Sequence, residues 1–207
     1  MTLDSTLNAY MQPQTIIFVG PQGSGKGTQI ERLRTVLKEK DSIRRVVDIQ
    51  TGRRFRALAE KQEGFTEKHI HSSINTGALQ PLFLSVVLWG DAFHHHVDPE
   101  CHLLVDGFPR TVHEAHVLES ALQFYERGLV TIINLNTPEE VVRKRMILRA
   151  RHDDTEASIE LRLKLYRDET LPVLAYYRLR NNTTVLDIDG TLSIEEVHQE
   201  IISRLHI

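Results

Sequence analysis

Thr15-Ile16-Ile17-Phe18-Val19-Gly20-Pro21-Gln22-Gly23-Ser24-Gly25-Lys26-Gly27-Thr28 is the stretch on which the fold turns. Residues 15–19 are β-branched or apolar throughout, as a strand buried on both faces should be. A glycine-rich loop follows, and Ile30, Leu33 and Leu37 then recur at helical spacing. Strand, loop, lysine and helix in this order make a phosphate cradle. Glycine lets the backbone curl round an anion with its N–H groups inward, and the helix N-terminus adds positive potential. Gly23, Ser24, Gly25, Lys26, Gly27 and Thr28 are therefore the expected triphosphate contacts. Lys26 would reach the β- and γ-phosphates, and Thr28 the phosphates or a magnesium ion. Gly27 stands where the commonest version of this loop has Ser or Thr, and the hydroxyl arrives one residue later.

Four further β-rich runs, at 45–49, 102–106, 130–135 and 184–188, are separated by helical patterns. Such alternation predicts an α/β fold of βαβ units, a three-layer sandwich with a five-stranded parallel sheet. Thr137-Pro138-Glu139-Glu140 and Ser193-Ile194-Glu195-Glu196 read as helix starts, with Thr137 and Ser193 as N-caps. Two stretches stand outside the alternation: an insertion over about 51–81 and a short, charged segment over about 149–158. Both are expected to move, because polar segments with little apolar burial open easily. Residues 1–14 read as a flexible polar extension and 15–207 as one core.

The 207 residues are 41% hydrophobic and 26% charged, with a formal net charge of −3. These values suit one globular domain and give no broad attraction to nucleic acid. Cys101 is the single cysteine, which excludes an internal disulfide and a multi-cysteine zinc site. No apolar run approaches the roughly 18 residues that span a membrane, and no secretory signal is visible. A soluble, cytoplasmic monomer that binds small-molecule nucleotides is the expectation.

Gly25-Lys26-Gly27-Thr28 resembles the phosphate loop of adenylate kinases and related nucleoside monophosphate kinases, and other segments agree. Thr51-Gly52 followed by Arg56 resembles the start of that family's monophosphate-binding helix. Gly77-Ala78-Leu79-Gln80-Pro81 is similar to its Gly-x-Leu-x-Pro turn, and Asp106-Gly107-Phe108-Pro109-Arg110 matches its Asp-Gly-Phe-Pro-Arg signature. Arg145, Arg149, Arg151, Asp153, Asp154 and Arg162 follow the lid pattern of the short-lid members. Gly190 sits where the family packs backbone against the donor adenine. The resemblance runs from about residue 15 to the C-terminus. It implies ATP as donor, AMP as acceptor, magnesium bound with the nucleotide largely through water, and no zinc-lid variant.

Phosphoryl transfer needs positioning and charge neutralisation more than covalent catalysis. Arginine suits it, because its planar fork holds two phosphate oxygens and stays charged. By resemblance, Arg145, Arg149, Arg151 and Arg162 line the donor phosphates, with Arg151 and Arg162 also near the acceptor. Arg56 and Arg110 hold the acceptor phosphate, and Thr51, Gly52, Gly77 and Gly107 shape its pocket. Asp106 ends a strand where ligands of open α/β sheets bind, and with Thr28 it is the expected magnesium partner. Lys26, Arg110, Arg145, Arg151 and Arg162 are the catalytic candidates. Arg54 and Arg143 read as solvated surface cations.

The acceptor pocket departs from the pattern. Glu114 replaces a glutamine usual in adenylate kinases, Gln80 replaces a valine, and Arg53 replaces an aspartate. An ionised carboxylate only accepts hydrogen bonds. It would meet adenine N1 unfavourably and suit the two donors of guanine better. Thr111-Val112-His113-Glu114 is also a capping box, with the glutamate reaching back to the Thr111 N–H, and the sequence does not choose between these readings. Glu114 and Gln80 are expected to weaken or broaden base choice. A kinase for GMP or a pyrimidine monophosphate, a kinase for a small metabolite, and a catalytically weakened nucleotide-binding module are the competing readings.

Overall fold

A computed structural model describes residues 11–207. Most of the expected N-terminal extension lies outside the described residues. Five strands, β1 (Thr15–Val19), β2 (Val46–Gln50), β3 (His102–Asp106), β4 (Val130–Asn136) and β5 (Thr183–Asp189), form one sheet in the order β2-β3-β1-β4-β5. Every neighbouring pair is parallel. The observed limits lie within about two residues of those expected from sequence.

Alternation along β1 explains the layers. Ile16 and Phe18 pack with Ile30, Leu33 and Leu37 of α1 (Lys26–Lys40) and with Val197 and Ile201 of α9 (Ile194–Leu205). Ile17 and Val19 face the other way. They share a core with α4 (Leu82–His96), α5 (Val112–Phe124) and α8 (Leu171–Arg178), through Trp89, Phe93, Leu118 and Tyr177. Both faces of the sheet are thus covered, which is why its strands are almost wholly apolar.

The 51–81 segment contains α2 (Thr51–Lys61) and α3 (Phe65–Thr76). It has a small core of its own, Phe55, Ala59 and Ile70, packed on Leu84 and Leu88 of α4. The charged segment joins α6 (Glu139–Arg149) to α7 (Glu156–Leu165), whose Val142, Met146, Ile159 and Leu163 form another small core. A π-helical turn, Tyr166–Thr170, links α7 to α8 and has no counterpart in the sequence reading.

Ser193 caps α9 with both bonds of the reciprocal box, as expected. Thr137 does not cap α6. That helix starts after Pro138, and the Thr137 hydroxyl turns back to the Leu135 carbonyl at 3.5 Å. The cause is tertiary, because Thr137 is buried against Gly190 and points away from the helix. Among the described residues, no helix is long and apolar enough to cross a membrane.

Candidate active site

The carboxyl ends of β1 and β3 open into a cavity of about 740 Å³. Its floor is the glycine-rich loop. Gly23 and Gly25 have φ of 90° and 100°, a region glycine enters without strain. Gly25 caps α1 without any side-chain hydrogen bond, so the first N–H groups of the helix remain available to an anion. The Ser24 hydroxyl is buried without a partner. Lys26 lies across the loop, its Nζ donating to the carbonyls of Gly20 (2.7 Å) and Pro21 (2.9 Å). Burial brings its pKa down from 10.5 to about 8; Asp106 opposes the shift, and Arg110 and Arg149 add to it. A Cβ at Gly27 would meet no atom within 4 Å, so that position faces open space. Thr28 is exposed and lines the same cavity.

Eight cationic side chains line this space: Lys26, Arg53, Arg56, Arg110, Arg145, Arg149, Arg151 and Arg162. Among the described residues, Glu31 and Asp106 are the only carboxylates that line it. Such an excess, concentrated at a helix N-terminus, is suited to a polyanion. Asp106 ends β3, and its Oδ1 is buried without a partner. Arg110 is held by Nε donating to the Gly107 carbonyl at 2.8 Å. Its pKa is lowered by burial, against the pull of Asp106 and Glu114. Burial likewise lowers Arg56 and Arg151; the charges of Arg151 and Arg149 add to the shift of Arg56, and those of Arg149 and Arg162 to that of Arg151.

The charged 149–158 segment forms one wall. Arg149 donates to Asp154 at 2.9 to 3.0 Å. Arg162 reaches Asp154 at 2.8 Å, Asp153 at 2.6 Å and, through Nη2, the Ile74 carbonyl at 3.2 Å. Asp153 and Asp154 thus pair with arginines of this wall, and Thr155, not either aspartate, is the N-cap of α7. Arg145 donates to the Gly190 carbonyl at 2.8 Å and so ties α6 to the segment after β5. Gly190 is required there because a Cβ would overlap the Thr137 hydroxyl. Arg54 and Arg143 stay outside the cavity, where they pair with Asp91 and Glu160.

A second cavity of about 160 Å³ shares Gly52, Arg56, Gly77, Leu79, Gly107, Arg110 and Arg162 with the first. Thr51, Phe55, Gln80, Ser85 and Glu114 are among the residues that line it alone. Gly107, at φ 89°, leaves room for Thr51, whose Oγ1 would lie 2.5 Å from a Cβ. Gln80 accepts from the Ser73 hydroxyl at 2.9 Å, and its Nε2 is buried without a partner. Glu114 is almost fully buried. The capping-box expectation is corrected for it. Thr111 accepts from the Glu114 N–H at 3.1 Å, but the carboxylate bonds the Arg110 N–H at 2.7 Å, not that of Thr111. The Ser85 hydroxyl and Trp89 Nε1 draw it inward.

The sequence reading assigned no role to several lining residues. Arg53 pairs with Glu31 at 2.6 Å, so its side chain neutralises one of the two cavity carboxylates. Leu192 and Ile194 are partly exposed beside Gly190 and give that end of the cavity an apolar lip. Exposed apolar residues next to a glycine were the available signal, though single exposed apolar residues are ordinary. Tyr166 and Thr170 enter from the π-helical turn, which no local pattern marks.

Known proteins give the same picture. Residues 18–182 match the family model described as adenylate kinase. An adenylate kinase of Corynebacterium urealyticum is 34% identical over 92% of this chain and 98% of its own length. Adenylate kinase 1 of a Nostoc species is 35% identical over 92% of this chain and 97% of its own. One from Leptospira biflexa is 34% identical over 92% and 98%. A parallel sheet with a phosphate cradle at its carboxyl edge, two joined cavities rich in arginine, and similarity over nearly the whole chain lead to one conclusion: this chain belongs to the adenylate kinase family and is a phosphotransferase acting on nucleoside monophosphates.

Proposed function

We propose that the enzyme transfers the γ-phosphoryl group of ATP to AMP, giving two molecules of ADP. The observation that carries this reading is the pair of joined cavities, a large one floored by the glycine-rich loop and a small one meeting it at Arg110 and Arg162. In this reading the donor triphosphate lies on Gly23, Ser24, Gly25, Lys26, Gly27 and Thr28. Its adenine rests between Gly190 and the apolar lip of Leu192 and Ile194. Arg145, Arg149 and Arg151 face the donor phosphates. Arg56 and Arg110 hold the acceptor phosphate, and Arg162 stands between the two sites. Thr51, Gly52, Gly77, Gln80, Gly107 and Glu114 bound the acceptor pocket.

Lys26, Arg110, Arg145, Arg151 and Arg162 would stabilise charge on the transferring group, work for preorganised cations in a dry site. Asp154 takes bonds from both Arg149 and Arg162, which sets those two guanidinium groups along one wall before any nucleotide enters. The orphaned Asp106 Oδ1, with Thr28 lining the same cavity, suits a hydrated magnesium ion. Magnesium held there through water would neutralise charge on the donor phosphates. Closure of the 149–158 segment would keep water from competing as the acceptor.

The test is ADP formation from ATP with AMP, GMP, CMP and UMP, with and without magnesium. Turnover highest with AMP and dependent on magnesium is expected. Turnover of GMP or CMP above that of AMP would refute the choice of acceptor. Exclusive, strong turnover of AMP would refute the view that Glu114 and Gln80 broaden it.

A further inference from the structure

Glu114 occupies an unusual place for a residue at the base end of a nucleotide pocket. Its Oε1 accepts from the Ser85 hydroxyl at 2.5 Å and from Trp89 Nε1 at 3.2 Å. Its Oε2 accepts from the backbone N–H of Arg110 at 2.7 Å. A carboxylate has about four acceptor positions, so three are already filled from within the protein. Two of those donors belong to α4, which sits in the main core: Trp89 is 2% exposed and stacks on Phe108 at a centroid distance of 5.3 Å with planes 5° apart. The third belongs to Arg110, whose guanidinium lines both cavities. Removing one partner of a buried charged hydrogen bond leaves the others exposed to a large desolvation loss, so this set of contacts holds together as a unit.

We infer that Glu114 is a positioning residue: it ties the Arg110 backbone to Ser85 and Trp89 of α4, holds the Arg110 guanidinium at the junction of the two cavities, and does not read the acceptor base. The inference rests on the reading of Arg110 as the holder of the acceptor phosphate. If Glu114 acts through Arg110, its loss is felt equally by every monophosphate, because all carry the same phosphate. If it reads the base, its loss changes the ranking of bases and leaves the rate of transfer for the best acceptor intact. The two roles therefore separate in the kinetics.

Trp89 supplies an independent readout. It is the one tryptophan in the chain, and its indole N–H donates to Glu114. Its emission reports directly on that hydrogen bond.

The experiment compares wild type, Glu114→Gln and Ser85→Ala with AMP, GMP and CMP as acceptors, by steady-state kinetics and by Trp89 emission. In Glu114→Gln an amide NH₂ must face one of the three donors. kcat is expected to fall about 10- to 100-fold with each acceptor that wild type uses, the scale of a misplaced catalytic group. The ratios of kcat/KM among acceptors stay within about twofold, and emission of the ligand-free protein shifts. Ser85→Ala keeps the Arg110 bond and should give a smaller loss in the same direction, again with ratios preserved. It also carries the test should Glu114→Gln fail to fold. A change of about tenfold or more in the acceptor ratios with kcat retained would overturn the inference, and so would unchanged kcat in both variants. Absence of any turnover by wild type would refute the proposed function instead. The emission comparison would still decide whether Glu114 and Trp89 are joined.

Discussion

The same substitution, glycine to alanine, is expected to have opposite effects at Gly77 and Gly90. Gly77 closes α3 in the left-handed region, at φ 84°, with its N–H bonded to Ile74 and the following N–H of Ala78 bonded to Ser73. A side chain there pays about 1–2 kcal/mol for the left-handed backbone. The added Cβ would also lie 2.5 Å from the Ser158 carbonyl, 3.1 Å from Ser158 Cα and 3.2 Å from Arg162 Cγ. Two of these are backbone atoms of α7 and cannot swing aside, so overpacking adds about 1–3 kcal/mol. Together Gly77→Ala should cost about 2–5 kcal/mol, which for a chain of this size lowers Tm by about 4–20 °C. Gly90 lies inside α4, and a Cβ there meets nothing within 4 Å. Gly90→Ala should gain about 0.5–1 kcal/mol from helix propensity and raise Tm by about 1–4 °C. Thermal melts of both variants against wild type are the assay. A Gly77→Ala protein melting within about 1 °C of wild type would refute the claim that α3 and α7 meet through this glycine. Shifts of the same sign in both variants would refute the reasoning as a whole.

Lys26 gives a pH prediction with two opposite signs. Its pKa of about 8 means that kcat/KM for ATP should fall above pH 8 as the ammonium is lost, by about tenfold per unit. Between about 8 and 10.5 the folded, ligand-free protein binds fewer protons than the unfolded chain, so its stability should rise with pH over that window. A pH–rate profile and denaturant unfolding at matched pH check both, and a flat profile from pH 7 to 10 would contradict the burial argument. The buried cluster of Arg162, Asp153 and Asp154 predicts a coupling. Arg162→Met strands the Asp153 carboxylate and should cost about 3–5 kcal/mol. Adding Asp153→Asn should restore part of that loss; denaturant melts showing strictly additive losses would rule the coupling out.

Much of the cavity's lining is legible in the sequence because its chemistry is local. A glycine-rich loop between a strand and a helix is a contiguous device, and residues 20–28 announce it by spacing alone. Arg145 and Arg149, four residues apart, lie on one helix face by periodicity. Ser193 with Glu196 forms its capping box from neighbours in sequence. Where a residue's partner lies far along the chain, local pattern misled or fell silent. Thr137 has the sequence of an N-cap but faces Gly190, more than fifty residues away, and the helix starts without it. Glu114 has the sequence of a capping-box acid, yet Ser85 and Trp89 supply two of its three donors. The π-helical turn at Tyr166–Thr170 has no sequence cue at all.

The sequence by itself determined the parallel α/β sheet, the phosphate cradle and the family resemblance. Each rests on period, composition or a contiguous motif, all of which are properties of neighbouring residues. Tertiary structure decided which arginines converge and what restrains them. It drew Arg149 and Arg162 onto Asp153 and Asp154, and Arg145 onto Gly190. It also drew the Glu114 carboxylate onto Ser85, Trp89 and the Arg110 N–H. The reason is physical. A buried charge takes its partners from whatever the packing of distant helices brings within about 3 Å, and that choice is made by the folded core.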